Sequence, residues 1–311
     1  MPVMDAYLPP LVARLPAEPI TRFAPAPTGW LHLGHVLNAY YVWEIARAVE
    51  GRVLLRIEDH DRTRARPEFE AGILDDLDWL GFHADIHPTD RFRAGRCDGR
   101  QSDRDGVYRE ALEILQAQGL VYACDCSRAS LAPAAAGLGQ REHHLAVGLL
   151  RTEDARAGEP AELHYPGHCR DRHLPLVDGY GWRVRMDPGV ELFDDVKLGE
   201  QRQEPALQCG DVLVRDRHGN WTYQFAVTVD DWRQEIDLVI RGTDLLASTG
   251  RQIRLARLLG RPRPPVFFHH PLIMKNPAQK LSKSDGDTGV RDLRARGWGS
   301  ADVIEAAVRN G

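Results

Sequence analysis

Cysteine is scarce and unevenly placed in this 311-residue chain. The five, Cys97, Cys124, Cys126, Cys169 and Cys209, are odd in number and follow no export signal, which argues against a disulfide framework. No apolar run approaches the roughly 20 residues needed to cross a bilayer. The opening M-P-V-M-D-A-Y-L-P-P also lacks the basic-then-apolar order of a secretory leader. The expectation is a cytoplasmic protein with no membrane partner. Excess positive charge is missing too: 40 Lys and Arg stand against 45 Asp and Glu, a net charge of −5. That excludes a uniformly basic nucleic-acid binder. Two local arginine clusters remain: Arg91, Arg93, Arg96, Arg100, Arg104 and Arg109, then Arg251, Arg254, Arg257, Arg261 and Arg263. Each cluster alone reads as a solvated helix face, and the pair as stripes for backbone contacts to a nucleic acid.

With 43% hydrophobic and 27% charged residues the chain falls in the globular range, at a length that suits about two domains. Residues 20–24 read as a strand that enters the turn Pro25-Ala26-Pro27-Thr28-Gly29, and helical spacing follows over 33–49. A second strand over 53–57 leads to an amphipathic helix over 67–80, opened by proline and stopped by Gly81. This βαβα order predicts an α/β fold on a parallel sheet. The character changes between 93 and 210, where a helix over 107–118 precedes Cys124-Asp125-Cys126 and an Ala/Gly/Pro-rich stretch from 129 to 160 reads as loop or weak helix. Strand-like alternation returns over 212–214, 223–229 and 238–240, and a helix over 249–259 follows. The domain reading is therefore a Rossmann-type first half (19–92), an insertion (93–210), a second half (211–270) and a tail (271–311).

Three separated segments need explaining together. In R-F-A-P-A-P-T-G-W-L-H-L-G-H, His32 and His35 flank Gly34 where a strand gives way to a helix. Unpaired N–H groups and the positive dipole end suit phosphate oxygens there, and both histidines can donate to them. Alone, this pattern often does no more than cap a helix. The third segment, Lys280-Leu281-Ser282-Lys283-Ser284 followed by Asp285-Gly286, has the composition of a loop that closes over a charged ligand. Between them lies R-I-E-D at residues 56–59.

Taken together, these runs resemble the HIGH and KMSKS signatures of class I aminoacyl-tRNA synthetases. The resemblance implies that an amino acid's carboxylate attacks the α-phosphate of Mg-ATP, a reaction that needs positioning and charge stabilisation. It implies catalytic roles for His32, His35 and Lys283. ATP contacts would come from Pro25, Thr28, Gly29, His32, Gly34, His35, Lys280, Ser282 and Lys283. The further runs Y-Q-F-A-V-T-V-D-D and R-G-T-D-L-L-A-S-T look like the glutamyl branch. Positions matching Arg22, Phe23, Ala24, Ala26, Glu58, Tyr223 and Arg241 would then bind L-glutamate, with two arginines for two carboxylates and Glu58 for the α-ammonium. Ala26 stands where glutamyl enzymes commonly carry serine.

Residues 285–311, all that follows Ser284 in this sequence, are too few for an anticodon-binding domain. The resemblance is therefore to the truncated glutamyl-queuosine tRNA(Asp) synthetases, and Tyr223-Gln224 leans the same way. That family implies transfer of glutamate to the queuosine base of tRNA(Asp), gripped by its anticodon arm, by a monomeric enzyme. It also implies a structural Zn2+ in the insertion, on Cys124, Cys126, Tyr165 and Cys169; from the residues alone, His164 or His168 is the favoured fourth ligand. His143 and His144 read as exposed polar residues, Cys97 and Cys209 as free thiols. The rivals are a minimal glutamyl-tRNA synthetase charging a 3′ end and a catalytically silent RNA-binding paralogue; the presence of His32, Gly34, His35 and Lys283 together argues against silence. No residue declares itself the general base for transfer.

Overall fold

The computed structural model describes residues 6–127, 130–131, 164–276, 279–280 and 289–311. Strand β1 (Ile20–Phe23) enters the core and turns through the proline-rich loop into helix α1 (Leu33–Ala48). Strand β2 (Arg52–Leu55) follows and lies parallel to β1, Arg22 facing Leu54. Helix α2 (Pro67–Leu80) starts with proline at its first position, where no amide hydrogen is needed, and carries Glu68 and Glu70 in its first turn. Next come helix α3 (Asp105–Ala117) and strands β3 (Val121–Cys124) and β4 (Gly181–Val184). The hairpin β5 (Glu191–Asp195) and β6 (Gly199–Gln203) precedes β7 (Val212–Arg215). Helix α4 (Tyr223–Arg233), β8 (Leu238–Gly242), helix α5 (Thr249–Leu258) and β9 (Val266–His270) complete the centre. The chain closes with β10 (Met274–Asn276), β11 (Gln279–Lys280) and helices α6 (Val290–Ala295) and α7 (Ser300–Asn310).

The main sheet runs β2-β1-β8-β9-β5-β6, parallel throughout except for the β5–β6 hairpin at its edge. Its core gathers Phe23, Val42, Leu55, Ile73, Leu77, Ile240 and Phe268 with Val303 and Ala307 of α7. A separate antiparallel sheet, β3-β4-β7, packs with Tyr108, Leu115, Trp221, Phe225 and Val229. The α/β expectation on a parallel sheet holds. Among the described residues no helix is long and apolar enough to cross a membrane.

Three expectations need correction. Residues 223–229 are helical, in α4, and the element is buried from Phe225 through Asp231. A helix enclosed on all sides shows no 3.6-residue polarity, so chance alternation read as a strand. The insertion's boundary also differs: β5 and β6, counted within 93–210, extend the catalytic sheet, whereas β7, counted outside, pairs with β4. Alternation shows that a strand exists and not which sheet it joins. Finally, the arginine clusters are solvated only in part: Arg91, Arg93, Arg96, Arg109, Arg257 and Arg263 are exposed, and the others are drawn into the fold. Arg254 is buried and shares Glu191 with Arg257, Arg251 is also buried, and Arg93, Arg100, Arg104 and Arg109 all pair with carboxylates. Residues 132–163, which hold His143, His144 and most of the Ala/Gly/Pro-rich stretch, lie outside the described residues.

Candidate active site

The turn after β1 delivers His32 to the N-cap of α1. His32 Nδ1 accepts from Gly34 N at 3.1 Å, and His35 Nδ1 accepts from His32 N at 3.2 Å. Both Nδ1 atoms are thereby acceptors, so each neutral imidazole carries its proton on Nε2 and presents an N–H donor. The rings lie 4.0 Å apart, centroid to centroid. Gly34 is required by contact: a Cβ there would come within 2.9 Å of the His32 ring. Gly289 bridges to His32 and Val290 N donates to Leu31 O at 2.9 Å, while Arg291 lies over the Trp30 ring at 4.2 Å. The exit from the K-L-S-K-S run is therefore fastened beside the histidines. Ser282 and Lys283 themselves lie outside the described residues, and Lys280 is placed by backbone in β11.

Behind the turn, β1, β2, α4 and β8 converge on a cluster of buried charge. Arg22 Nε donates to Asp231 Oδ1 at 3.1 Å, and Arg56 Nη2 to the same oxygen at 2.8 Å. Arg56 is fully buried, with Glu58 Oε1 at 3.6 Å from its Nη1. Burial dominates Glu58 and pushes its pKa up to about 7 against the attraction of Arg56 and Arg22. Arg241 differs from its neighbours. Its guanidinium, 3% exposed, donates to His269 Nε2 at 3.0 Å, Gln252 Oε1 at 2.8 Å and Thr249 Oγ1 at 2.8 Å, all neutral acceptors. Burial depresses its pKa, and no carboxylate among the described residues bonds to it. His269 is kept neutral by burial, its pKa down to about 4, and its Nδ1 donates to Asp195 Oδ2 at 2.6 Å. Asp231 and Asp244 act on Arg241 only through space, and an oriented buried cation with no bonded carboxylate is a site that favours an anion.

The other expected contacts fall as follows. Tyr223 opens α4 with its phenol near the charges of Arg241, Glu58 and Arg22, all of which act on it beside the burial that raises its pKa. Ala24, Pro25, Ala26, Thr28 and Gly29 line the turn between β1 and His32, with Glu58 N donating to Pro25 O at 3.0 Å. The Phe23 side chain is buried against Trp43 and offers a ligand only its backbone.

In the insertion, Cys124, Cys126 and Cys169 bring their sulfurs within 4.8 Å of one another. Tyr165 OH lies 3.5 Å from Cys124 Sγ and accepts from Cys169 N at 2.9 Å. Gly210 permits this: a Cβ there would meet the Tyr165 carbonyl oxygen at 1.9 Å. His164 turns away, its Nε2 3.2 Å from Ala206 O.

The model of the catalytic domain of class I tRNA synthetases (E and Q) matches residues 19–170 and 178–311. The glutamyl-Q tRNA(Asp) synthetase of Rhodobacter capsulatus is 40% identical over 296 residues, 91% of this chain and 98% of that protein. The chain belongs to the glutamyl-Q tRNA(Asp) synthetase family. The same-named protein of Bordetella bronchiseptica is 41% identical over 272 residues, covering 86% of this chain and 75% of its own. In structure, a glutamate tRNA ligase from Elizabethkingia meningosepticum, solved with its amino acid, aligns with a TM-score of 0.67 at 27% identity over 90% of this chain. The chain spans 53% of that ligase. Membership in the glutamyl-Q tRNA(Asp) synthetase family makes the protein a ligase of class I aminoacyl-tRNA synthetase type.

Reading the sequence alone missed the groups that set this site: Asp230, Asp231, Gln101, Thr249, Gln252, His269 and Asp195. One signal was available. Two adjacent aspartates inside the apolar run F-A-V-T-V-D-D are costly unless buried partners await them, which implies arginines nearby.

Proposed function

We propose that this protein activates L-glutamate with Mg-ATP and transfers the glutamyl group to the queuosine base at the wobble position of tRNA(Asp). The observation that carries the amino-acid assignment is Arg241, an oriented cation whose hydrogen bonds among the described residues all go to neutral groups. Glutamate supplies a bonding carboxylate through its side chain, whereas glutamine would leave the buried guanidinium without a bonded anion. Glu58 accepts from the α-ammonium and becomes fully ionised when that partner arrives. His32 and His35 donate to the phosphates through Nε2–H. Lys283 stabilises the charge that builds as pyrophosphate departs, and Mg2+, when bound with ATP, neutralises the phosphate oxygens.

In the same reading Cys124, Cys126, Cys169 and Tyr165 hold a structural Zn2+. Sulfurs at tetrahedral corners about 2.3 Å from zinc stand roughly 3.8 Å apart, which the cysteine spacing suits. Three thiolates and a phenolate around a dication leave two negative charges. Arg183, 3.4 Å from Cys124 Sγ and stacked on Tyr165, and Arg172, 3.5 Å from Cys169 Sγ, are placed to offset them.

The acceptor assignment rests on family membership. Mapping radiolabelled glutamate on tRNA(Asp) tests it: label retained after removal of the 3′ nucleotide and dependent on queuosine supports the reading. Label lost with that nucleotide, or equal on unmodified tRNA, replaces it with ordinary charging.

A further inference from the structure

We propose that His60 is the proton acceptor of the transfer step, taking at Nε2 the proton of the hydroxyl that attacks the glutamyl-adenylate. The inference rests on the glutamate-transfer reading above and adds to it the residue that performs the second half-reaction.

His60 lies two residues beyond Glu58, and its ring is 6.2 Å from that of Tyr223, centroid to centroid. It therefore borders the pocket assigned to glutamate. Its Nδ1 is 2.7 Å from Gln101 Oε1. The orientation of that amide is decided at its far end, where Gln101 Nε2 donates to Asp230 Oδ2 at 2.8 Å. Asp230 is fully buried and also accepts from Tyr108 OH at 2.9 Å and Arg104 Nε at 2.8 Å. A carboxylate so placed only accepts, so the amide nitrogen must face it and the amide oxygen must face His60. His60 then carries its proton on Nδ1 and a lone pair on Nε2, and no hydrogen bond from the described residues engages that atom.

The groups around the ring leave it a neutral base. Burial holds its pKa below the ordinary histidine value, with Arg64 acting in the same direction and Gln101, Asp61 and Asp59 opposing. Asp59 is turned to Ser102 N at 2.8 Å, and Asp61 to Thr63 and Arg64, so neither carboxylate takes the imidazole. Other bases nearby are committed: Glu58 to the substrate ammonium, Asp231 to Arg22 and Arg56. His32 and His35 offer donors, since their Nδ1 atoms accept within the cap. In the step itself the hydroxyl oxygen bonds to the adenylate's carbonyl carbon. The carbon–oxygen bond to phosphate breaks, and AMP leaves with the electron pair. The hydroxyl proton passes to His60 Nε2, and the imidazolium releases it to solvent.

The test uses the full-length protein with His60→Gln and His60→Ala. Glutamate-dependent pyrophosphate exchange reports activation and an intact fold, and single-turnover transfer from preformed adenylate to queuosine-bearing tRNA(Asp) reports the second step. The ratio of transfer to exchange is expected to fall about 10²- to 10⁴-fold in both variants. In the unaltered protein transfer rises with pH through a value below the usual histidine range and then levels off, and His60→Gln loses that limb. A ratio within threefold of the unaltered protein, an acid limb that survives in His60→Gln, or an equal fall in both half-reactions overturns the assignment. Absence of glutamate-dependent exchange in the unaltered protein overturns the functional reading, and the role of His60 with it.

Discussion

His269 accepts from Arg241 Nε through Nε2 at 3.0 Å while its Nδ1 donates to Asp195 at 2.6 Å. The carboxylate thus fixes the imidazole tautomer, and the imidazole fixes the guanidinium without neutralising it. Were Asp195 to touch Arg241 directly, the charge would be cancelled and the proposed preference for an anionic substrate would lose its basis. Arg241→Gln is expected to lower kcat/KM for glutamate by at least about 10³-fold, and His269→Leu by about 10- to 100-fold, a cost of roughly 1–3 kcal/mol for a lost buried acceptor. Pyrophosphate exchange with glutamate and glutamine measures both. Undiminished preference for glutamate in Arg241→Gln removes it as the reader of the side chain.

Glu58 gives the pH dependence. Burial pushes its pKa up to about 7 in the free protein, and the ionised form is the one that accepts from an ammonium. Because deprotonation is required, kcat/KM for glutamate should rise with pH through about 7 and level off above it. The substrate's ammonium stays protonated across this window, so the limb belongs to the enzyme. Glu58→Gln should lower kcat/KM and flatten the limb; a limb unchanged in that variant assigns it elsewhere.

Metal analysis of purified protein should find one zinc per chain. Cys124→Ser or Cys169→Ser should release it, and the unit around β3, β4 and β7 should lose protection from hydrogen exchange before β1 and β2 do. Tyr165→Phe should weaken retention against a chelator, because the phenol oxygen is within 3.5 Å of Cys124 Sγ whereas His164 faces Ala206. Full retention in that variant sends the fourth ligand to another side chain.

Lys283→Ala should reduce the rate of adenylate formation by far more than it raises KM for glutamate if, as proposed, its charge acts on the departing pyrophosphate. Rapid-quench measurement of adenylate formation separates the two. Near-normal turnover would take Lys283 out of the catalytic set.

Much of this was legible from residue types alone. The βαβα opening and the cap at His32 are local features, written in Pro25 to His35 and in Pro67 and Gly81, and local physics suffices to read them. The grouping of Arg22, Glu58, Tyr223 and Arg241 came through motif resemblance. Its electrostatic logic did not, because Arg22 and its partner Asp231 are brought together from distant parts of the chain by β1 and α4. The helix from Tyr223 was misread for a related reason: with Phe225 through Asp231 all enclosed, nothing in the pattern marks a wet side. His269 and Gln101 gave no sign of their roles, since each acts only through a partner from another element.

The interleaving of the two sheets limits how the protein can be taken apart. From β4 the chain crosses to β5 and β6 in the catalytic sheet and returns to β7 beside β4, so the two bodies are stitched rather than joined end to end. A single cut at either end of residues 93–210 cannot release the cysteine-bearing module, and excising that range would strip two strands from the edge of the catalytic sheet. A viable minimal version would have to keep Glu191–Gln203 and bridge two gaps. The cysteine-bearing module and the nucleotide fold should therefore be exchanged between relatives as one cassette, with chimaeras that divide them failing to fold.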